Sequence, residues 1–350
     1  MKLSDLDFEL PEELIARIPT QNRTDSRLMV INAETADISH SIFSQIDSFL
    51  NSKDLLVINT TKVLPAFTYC YKLSGGKIQI LYLFHEGAVA NCLVSGAKID
   101  KGQVILSLDK KYSLEIKEKN EDGSWAVEIR DISWTTFLNE YGLPPLPPYI
   151  RRMRKNDNLP EVNSEDEYRY QTIWAKEAGS VAAPTASLHF DKLLINKLNN
   201  IGVQFVDICL HVGQGTFAPI RCEDVIKHPI HSEKFEINQS VITKINECKK
   251  RGGRVIAVGT TVCRALEGWA QGDRGETELM ILPGHKFELM DGLLTNFHTP
   301  QSTLLALVAA FAEFHGASCG INFVKTVYQE AIAHQYRFYS FGDASLWVKP

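Results

Sequence analysis

The 350-residue, 39.3 kDa chain is 44% hydrophobic and 23% charged, enough apolar content to bury a core and enough length for two domains. Its 37 Lys and Arg against 42 Asp and Glu leave a net charge of −5, which excludes a nucleic-acid binder working through bulk positive charge, though not RNA contact through a local basic patch. No apolar run approaches the roughly 20 residues of a membrane-spanning helix, and residues 1–14, rich in Asp and Glu, read as neither a signal nor a transit peptide.

In chain order, 27–31 reads as a short strand, 42–50 as a helix, and 55–58 as a buried strand ending at Asn59-Thr60-Thr61. From Phe67 to about residue 132, turn signals such as Gly75-Gly76 and Asp122-Gly123 separate short runs at 77–80, 103–108, 112–116 and 125–129. Strands so closely spaced suggest a small antiparallel β-barrel or sandwich, a domain at 67–144 inserted into an α/β domain made of 1–66 and 145–350. The prolines of Leu143-Pro-Pro-Leu-Pro-Pro-Tyr149 read as a rigid connector that cannot feed a helix. Arg151, Arg152, Arg154 and Lys155, followed by the acidic stretch 161–167, read as a polar, mobile loop. Beyond Ala182, helices at 191–198, 241–250, 261–269 and 303–314 alternate with strands at 203–210, 254–258 and 279–282. Such alternation points to an α/β fold with a mixed or parallel sheet.

Two strand-to-loop junctions draw chemical interest. One runs from Val206 through His211 into Gly213, Gly215, Thr216 and Phe217; the other runs from Val255 to Gly259, Thr260 and Thr261, with Arg264 a turn further on. In open α/β sheets ligands bind beyond the carboxyl ends of strands, where glycines let the backbone approach and helix N-termini present free N–H groups. Thr260 or Thr261 also reads as a plain N-cap. A third glycine is missing after Gly213 and Gly215, and no GxxxxGK[ST] occurs, which argues against NAD and P-loop chemistry. His189, His211, His231 and His298 sit in turn-rich sequence rather than in apolar periodic runs, as acid–base groups often do. Their spacing matches no metal motif, and seven cysteines without a CxxC pair read as reduced thiols of a cytosolic protein.

At these junctions the sequence resembles the S-adenosylmethionine:tRNA ribosyltransferase-isomerases of queuosine biosynthesis. The resemblance covers almost the whole chain, through LVINTTKVLPA (56–66), PLPPYIRR (145–152), GSVAAPTASLHF (179–190), HVGQGTFAPI (211–220), HSEKFEI (231–237), GGRVIAVGTTVCRALE (252–267), LLTNFHTPQSTLLALVAAF (293–311) and YRFYSFGDASL (336–346). It implies a cytosolic enzyme, usually monomeric, with no metal or dissociable cofactor. Such an enzyme moves and isomerises the ribosyl part of S-adenosylmethionine onto 7-aminomethyl-7-deazaguanine at the wobble position of tRNAs with GUN anticodons. The products are epoxyqueuosine-tRNA, adenine and methionine, and the fold implied is an α/β domain carrying an inserted barrel.

That chemistry asks for a base near the ribose C5′, an acid near adenine, aromatic faces for the sulfonium and an anion site for the methionine carboxylate. His211 is the candidate base and His298 or His189 the second acid–base group, with Asp343 of the FGDA turn a candidate to orient one of them. Phe217, Phe297 and Tyr339 are available aromatics. Gly213, Gly215, Thr216, Phe217, Gly259, Thr260, Thr261, Arg264, Thr185 and Asn296 are the candidate S-adenosylmethionine contacts, and Lys62, Arg151, Arg152 and Arg337 the candidate tRNA contacts. Lys62 and Phe67 stand where the family usually has arginines, Gln301 where it has a lysine, Ser187 where it has a glycine and His285 where it has a tyrosine; Ser95 falls near a further usual arginine, and Ala218 where a basic residue is common. Phe67 could stack on a base instead. These departures keep two other readings open: an enzyme that uses S-adenosylmethionine with a different acceptor, and a non-catalytic binding protein of the same fold.

Overall fold

In the computed structural model, which describes residues 1–213, 222–230 and 232–349, the chain divides into two compact units. The larger comprises 1–61, 172–177 and 183–350, and the smaller 62–171 and 178–182.

The larger unit opens with the hairpin of β1 (Arg27–Asn32) and β2 (Asp37–Ile42), followed by β3 (Leu55–Asn59). The segment expected as a helix at 42–50 is a 3-10 helix over Phe43–Phe49, where Ser44, Asp47 and Ser48 favour turn-like backbone over a regular α-helix. Through β4 (Thr61–Val63) the chain enters the smaller unit, whose strands are β5 (Phe67–Lys72), β6 (Lys77–Glu86), β7 (Val89–Gly96), β8 (Val104–Leu106), β9 (Ser113–Lys119) and β10 (Trp125–Ile129). They close into an antiparallel barrel in the order β10-β7-β6-β5-β8-β9. Alternate residues, among them Ile78, Ile80, Leu114, Ile116, Val127 and Ile129, fill the interior together with Trp134, Phe137 and Leu138 of α1 (Trp134–Tyr141).

The smaller unit runs on to Gln171 rather than stopping at residue 144. The proline-rich connector does feed a helix: α2 (Pro148–Asn156) begins with Pro148 in its first turn, where a missing N–H costs nothing. Nor is 151–167 a mobile, solvated loop. Arg154 and Asp166, each about 1% exposed, form a two-pronged ion pair at 2.6 and 2.9 Å that ties α2 to α3 (Asp166–Arg169). The charge run hid a reciprocal pair.

After β11 (Glu177–Ser180) the chain resumes the larger unit with α4 (Lys192–Asn200), β12 (Gln204–Leu210), β13 (Glu233–Glu236), α5 (Gln239–Lys250), β14 (Val255–Val258), α6 (Thr260–Ala270), β15 (Glu276–Thr277), β16 (Gly292–Asn296), α7 (Thr303–Phe314), α8 (Gly320–Ala333) and β17 (Ala344–Val348). Nine strands make one mixed sheet in the order β15-β13-β12-β3-β14-β16-β17-β1-β2. Every residue of β3, β14, β16 and β17 is buried, as expected of strands covered on both faces. On one face Leu56, Ile58, Ile256, Val258 and Leu346 meet Phe43, Ile46, Phe190, Leu194 and Leu198. The expected strand at 279–282 is a correction: it joins no ladder, and the Leu279 carbonyl accepts the Arg264 Nε–H at 3.0 Å instead.

The four central strands β12, β3, β14 and β16 run parallel, so their carboxyl ends lie along one edge. That edge brings together His211 after β12, Thr60 and Thr61 after β3, Gly259 to Thr261 after β14, and His298 shortly after β16. Among the described residues, no helix is long and apolar enough to cross a membrane.

Candidate active site

The ends of β3 and β12 are joined by one buried amide. Asn59 accepts the N–H of both Thr61 and Leu210 on its Oδ1 and donates its Nδ2 to the Leu210 carbonyl. Thr61 and His211 thereby face each other, with Thr61 Oγ1 2.8 Å from His211 Nδ1. Thr61 also lies 3.5 Å from the Glu177 carbonyl, to which its hydroxyl donates. The hydroxyl oxygen is then the acceptor for His211 Nδ1–H, which leaves Nε2 with its lone pair, 3.9 Å from Cys209 Sγ. Burial lowers the pKa of this half-buried imidazole, with Glu177 raising and Lys234 lowering it, so the ring is neutral at pH 7. A neutral ring held by one nitrogen with the other unprotonated has the form of a general base. Sequence reading did not find Thr61 in this role, although it marks the end of the buried run at 55–58.

Two residues past His211, Gly213 lines a cleft that also takes in Thr260, Thr261, Arg264, Glu233, Leu279 to Ile281 and the Thr303–Leu307 turn of α7. Gly259 starts α6 with φ = 101°, a region where a side chain is strained, and no side chain caps the helix. The N–H groups of the first turn of α6 are thus left for a ligand, with the positive end of its dipole beside them. Two buried polar atoms lining the cleft, Thr261 Oγ1 and Arg264 Nη2, have no partner among the described residues. Arg264 is not a free clamp: its Nη1 is paired with Glu233, its Nε is spent on the Leu279 carbonyl, and Nη2 alone remains. Glu233 belongs to the HSEKFEI segment (231–237), and nothing in that segment's sequence points to Arg264 as its partner.

The other candidates separate. His189 is 5% exposed, and both of its nitrogens are used: Nδ1 is 2.7 Å from Ser26 Oγ and Nε2 3.3 Å from Asn296 Nδ2. Burial brings its pKa down to about 3. It is a neutral structural histidine, with its ring on Phe43 at 5.0 Å between centroids. His298 is half-buried, with Nε2 3.0 Å from Thr295 Oγ1, and burial takes its pKa to about 3 as well. Asp343 orients no histidine. Its carboxylate accepts the backbone N–H of Arg27 and Arg337 and pairs with the Arg337 guanidinium at 3.2 Å, which fixes the turn it sits in. Asn296 donates to His189 and to the Tyr339 carbonyl, while its Oδ1 is buried with no partner among the described residues. Thr185 begins the 3-10 turn Thr185–His189, and a Cβ placed on Gly259 would stand 3.8 Å from Ala186 of that turn. Phe297 cannot face a sulfonium: it is fully buried, with Tyr328, Tyr336 and Phe338 at 5.2–5.4 Å. Tyr339 is half-exposed at φ = 72°, rare for a bulky side chain. Gly215, Thr216, Phe217 and His231 lie outside the described residues.

The candidate tRNA contacts divide too. In the smaller unit Lys62 and Arg152 are exposed. Arg151 is internal: it donates to the Leu146 carbonyl and to Gln79 Oε1, and lies 3.9 Å over the Phe67 ring. Phe67, 1% exposed beneath that guanidinium, cannot stack on a base. In the larger unit Arg337 is committed to Asp343.

Three comparisons bear on the site. Residues 3–347 match the family described as Queuosine biosynthesis protein. The chain is 45% identical over 353 residues to the S-adenosylmethionine:tRNA ribosyltransferase-isomerase of Thermotoga petrophila, with 99% of each chain covered. It is 42% identical over 356 residues to the enzyme of that name from Dichelobacter nodosus, covering 98% of this chain and 95% of that one. Among solved structures, the crystal structure of S-adenosylmethionine tRNA ribosyltransferase from Thermotoga maritima aligns with a TM-score of 0.55 and 34% identity, over 98% of this chain and 100% of the other.

Proposed function

The chain belongs to the queuosine biosynthesis protein family, and from that premise we propose how it works as an S-adenosylmethionine:tRNA ribosyltransferase-isomerase. The observation that carries the reading is the cleft at the carboxyl edge of the parallel strands, whose first helical turn and two unpartnered polar atoms suit a small anionic group. The methionine carboxylate of S-adenosylmethionine is that group. Because Glu233 neutralises most of Arg264, the carboxylate rests on the first-turn N–H groups of α6, Thr261 Oγ1 and Arg264 Nη2. His211 Nε2 takes the C5′ proton that the sulfonium acidifies, and Thr61 holds the imidazole in the tautomer that accepts it.

Adenine and methionine leave, and the ribosyl carbons end on the amine of 7-aminomethyl-7-deazaguanine at the tRNA wobble position. Neither His189, whose nitrogens are both spent inside the fold, nor His298, which burial holds neutral, carries a spare proton for adenine at neutral pH, so His298 serves at most as a neutral N–H donor to the leaving base. S-adenosylmethionine enters as substrate, and no other cofactor is required. We place the enzyme in the cytoplasm, where its seven free cysteines would stay reduced, and take it to act as a monomer as members of the family usually do.

The test is chromatography of adenine after incubation with S-adenosylmethionine, with and without tRNA carrying 7-aminomethyl-7-deazaguanine. Adenine that appears only with that tRNA supports the reaction. Bound S-adenosylmethionine with no adenine released would turn the search to another acceptor, and absence of both would leave a binding protein.

A further inference from the structure

A second cluster of ligating side chains lies away from the cleft, where the edge strand β2 meets α8. Glu330 sits in the last turn of α8 and His334 follows at i+4, so both look out from one face of the helix. His40 comes from β2. Glu330 Oε1 is 3.5 Å from His40 Nε2 and 3.1 Å from His334 Nδ1, and one ligand atom from each residue lies within 4.8 Å of the others. A tetrahedral ion with bonds of about 2.0–2.1 Å separates its ligand atoms by about 3.3 Å. The two measured separations bracket that value.

The surroundings point the same way. Tyr336 OH donates to the Leu28 carbonyl at 3.3 Å, so at 3.0 Å from His40 Nδ1 it accepts that nitrogen's proton. His40 therefore turns an unprotonated Nε2 toward the Glu330 carboxylate, two acceptors that a bridging cation would reconcile. Fixing one ring nitrogen so that the other is presented is the usual outer-shell arrangement around a metal-bound histidine. The rings of His40 and His334 stack at 4.3 Å, so the two imidazoles are already neighbours, and a shared ion would need them to tilt from the stack. Two features weigh on affinity: His334 Nδ1–H donates to the Glu330 carbonyl at 3.1 Å, so this nitrogen must move its proton to Nε2 to ligate, and the Arg27 guanidinium lies over the Tyr336 ring and donates to the His334 carbonyl.

We propose that His40, Glu330 and His334 form a site for a divalent transition-metal ion of the zinc class, with its remaining positions open to water, that staples the edge strand to α8. The test is titration calorimetry of the chelator-stripped full chain with Zn²⁺ alone, beside thermal unfolding with and without the ion. Wild type should bind one ion that His40→Ala does not, and Glu330→Gln should weaken that binding by at least about tenfold. Zn²⁺ should raise the Tm of wild type and leave that of His40→Ala unmoved. All three side chains are partly or largely exposed, and circular dichroism of the metal-free variants checks that each folds. Equal affinity in wild type and His40→Ala, or no zinc-dependent change in wild type, would overturn the site and leave the cluster sharing a proton only.

Discussion

Thr61 decides what His211 can do. Replacing Thr61 by Val removes the acceptor for Nδ1–H and lets the ring turn, so kcat for adenine release should fall by about 10–100-fold while the KM for S-adenosylmethionine changes little. His211→Asn should cost about 10²–10⁴-fold. Since the folded pKa of His211 lies below 6.5, the base is already neutral at pH 7; activity should be lost only as pH falls below that value, and a pH–rate profile with its acid limb above 7 would contradict the assignment. His189 makes a prediction about stability instead. The unfolded imidazole titrates near 6.5 and the native one at about 3, so between those values the unfolded chain binds the extra proton and stability drops as pH drops. Urea unfolding should lose stability at a rate that grows as pH falls from 6.5 and averages about 1 kcal/mol per pH unit down to pH 4.5, and His189→Gln should flatten the slope by that amount.

Elements declared themselves in sequence wherever one physical signal dominated. The all-apolar runs of β3 and β14, the alternation in the barrel and the Ser302-capped α7 fall within a few residues of where patterning puts them. Glycine-led β16, by contrast, carries no strand signal of its own, and it forms because parallel β14 and antiparallel β17 flank it. The α2–α3 segment was misread because a run of Arg and Lys says nothing about which guanidinium meets a buried carboxylate 12 residues on. Element packing also yields a measurable consequence at Gly320, where a Cβ would stand 1.9 Å from the Ala309 carbonyl of α7. Gly320→Ala must push α8 off α7, and should cost about 1–3 kcal/mol, read as a Tm several degrees lower in a thermal melt.

For the whole molecule, a net charge of −5 means that tRNA is held by a local group of exposed cations and not by bulk charge. The cleft was legible because strand ends and helix starts carry local signatures; the RNA-facing surface was not, because a sequence does not distinguish solvated arginines from internal ones. Of the candidates, Lys62 and Arg152 are exposed. Each replaced by Ala should reduce the slope of log affinity for tRNA against log salt by about one, measured by filter binding over a salt series. Arg151→Ala should chiefly destabilise the barrel unit, because that side chain is built into it. The sheet order holds one more consequence, for synthesis on the ribosome. Among the described residues the β1–β2 hairpin is joined to the other strands of the sheet only through β17, so roughly 300 residues separate the end of β2 from the strand it waits for. At about 5–20 residues per second, the hairpin emerges some 15–60 s before its partner is made. Throughout that interval Leu28, Val30 and the rest of its inner face need a chaperone or a provisional contact, and any nascent chain that stalls before Ala344 leaves an orphaned edge ready to pair with a neighbour.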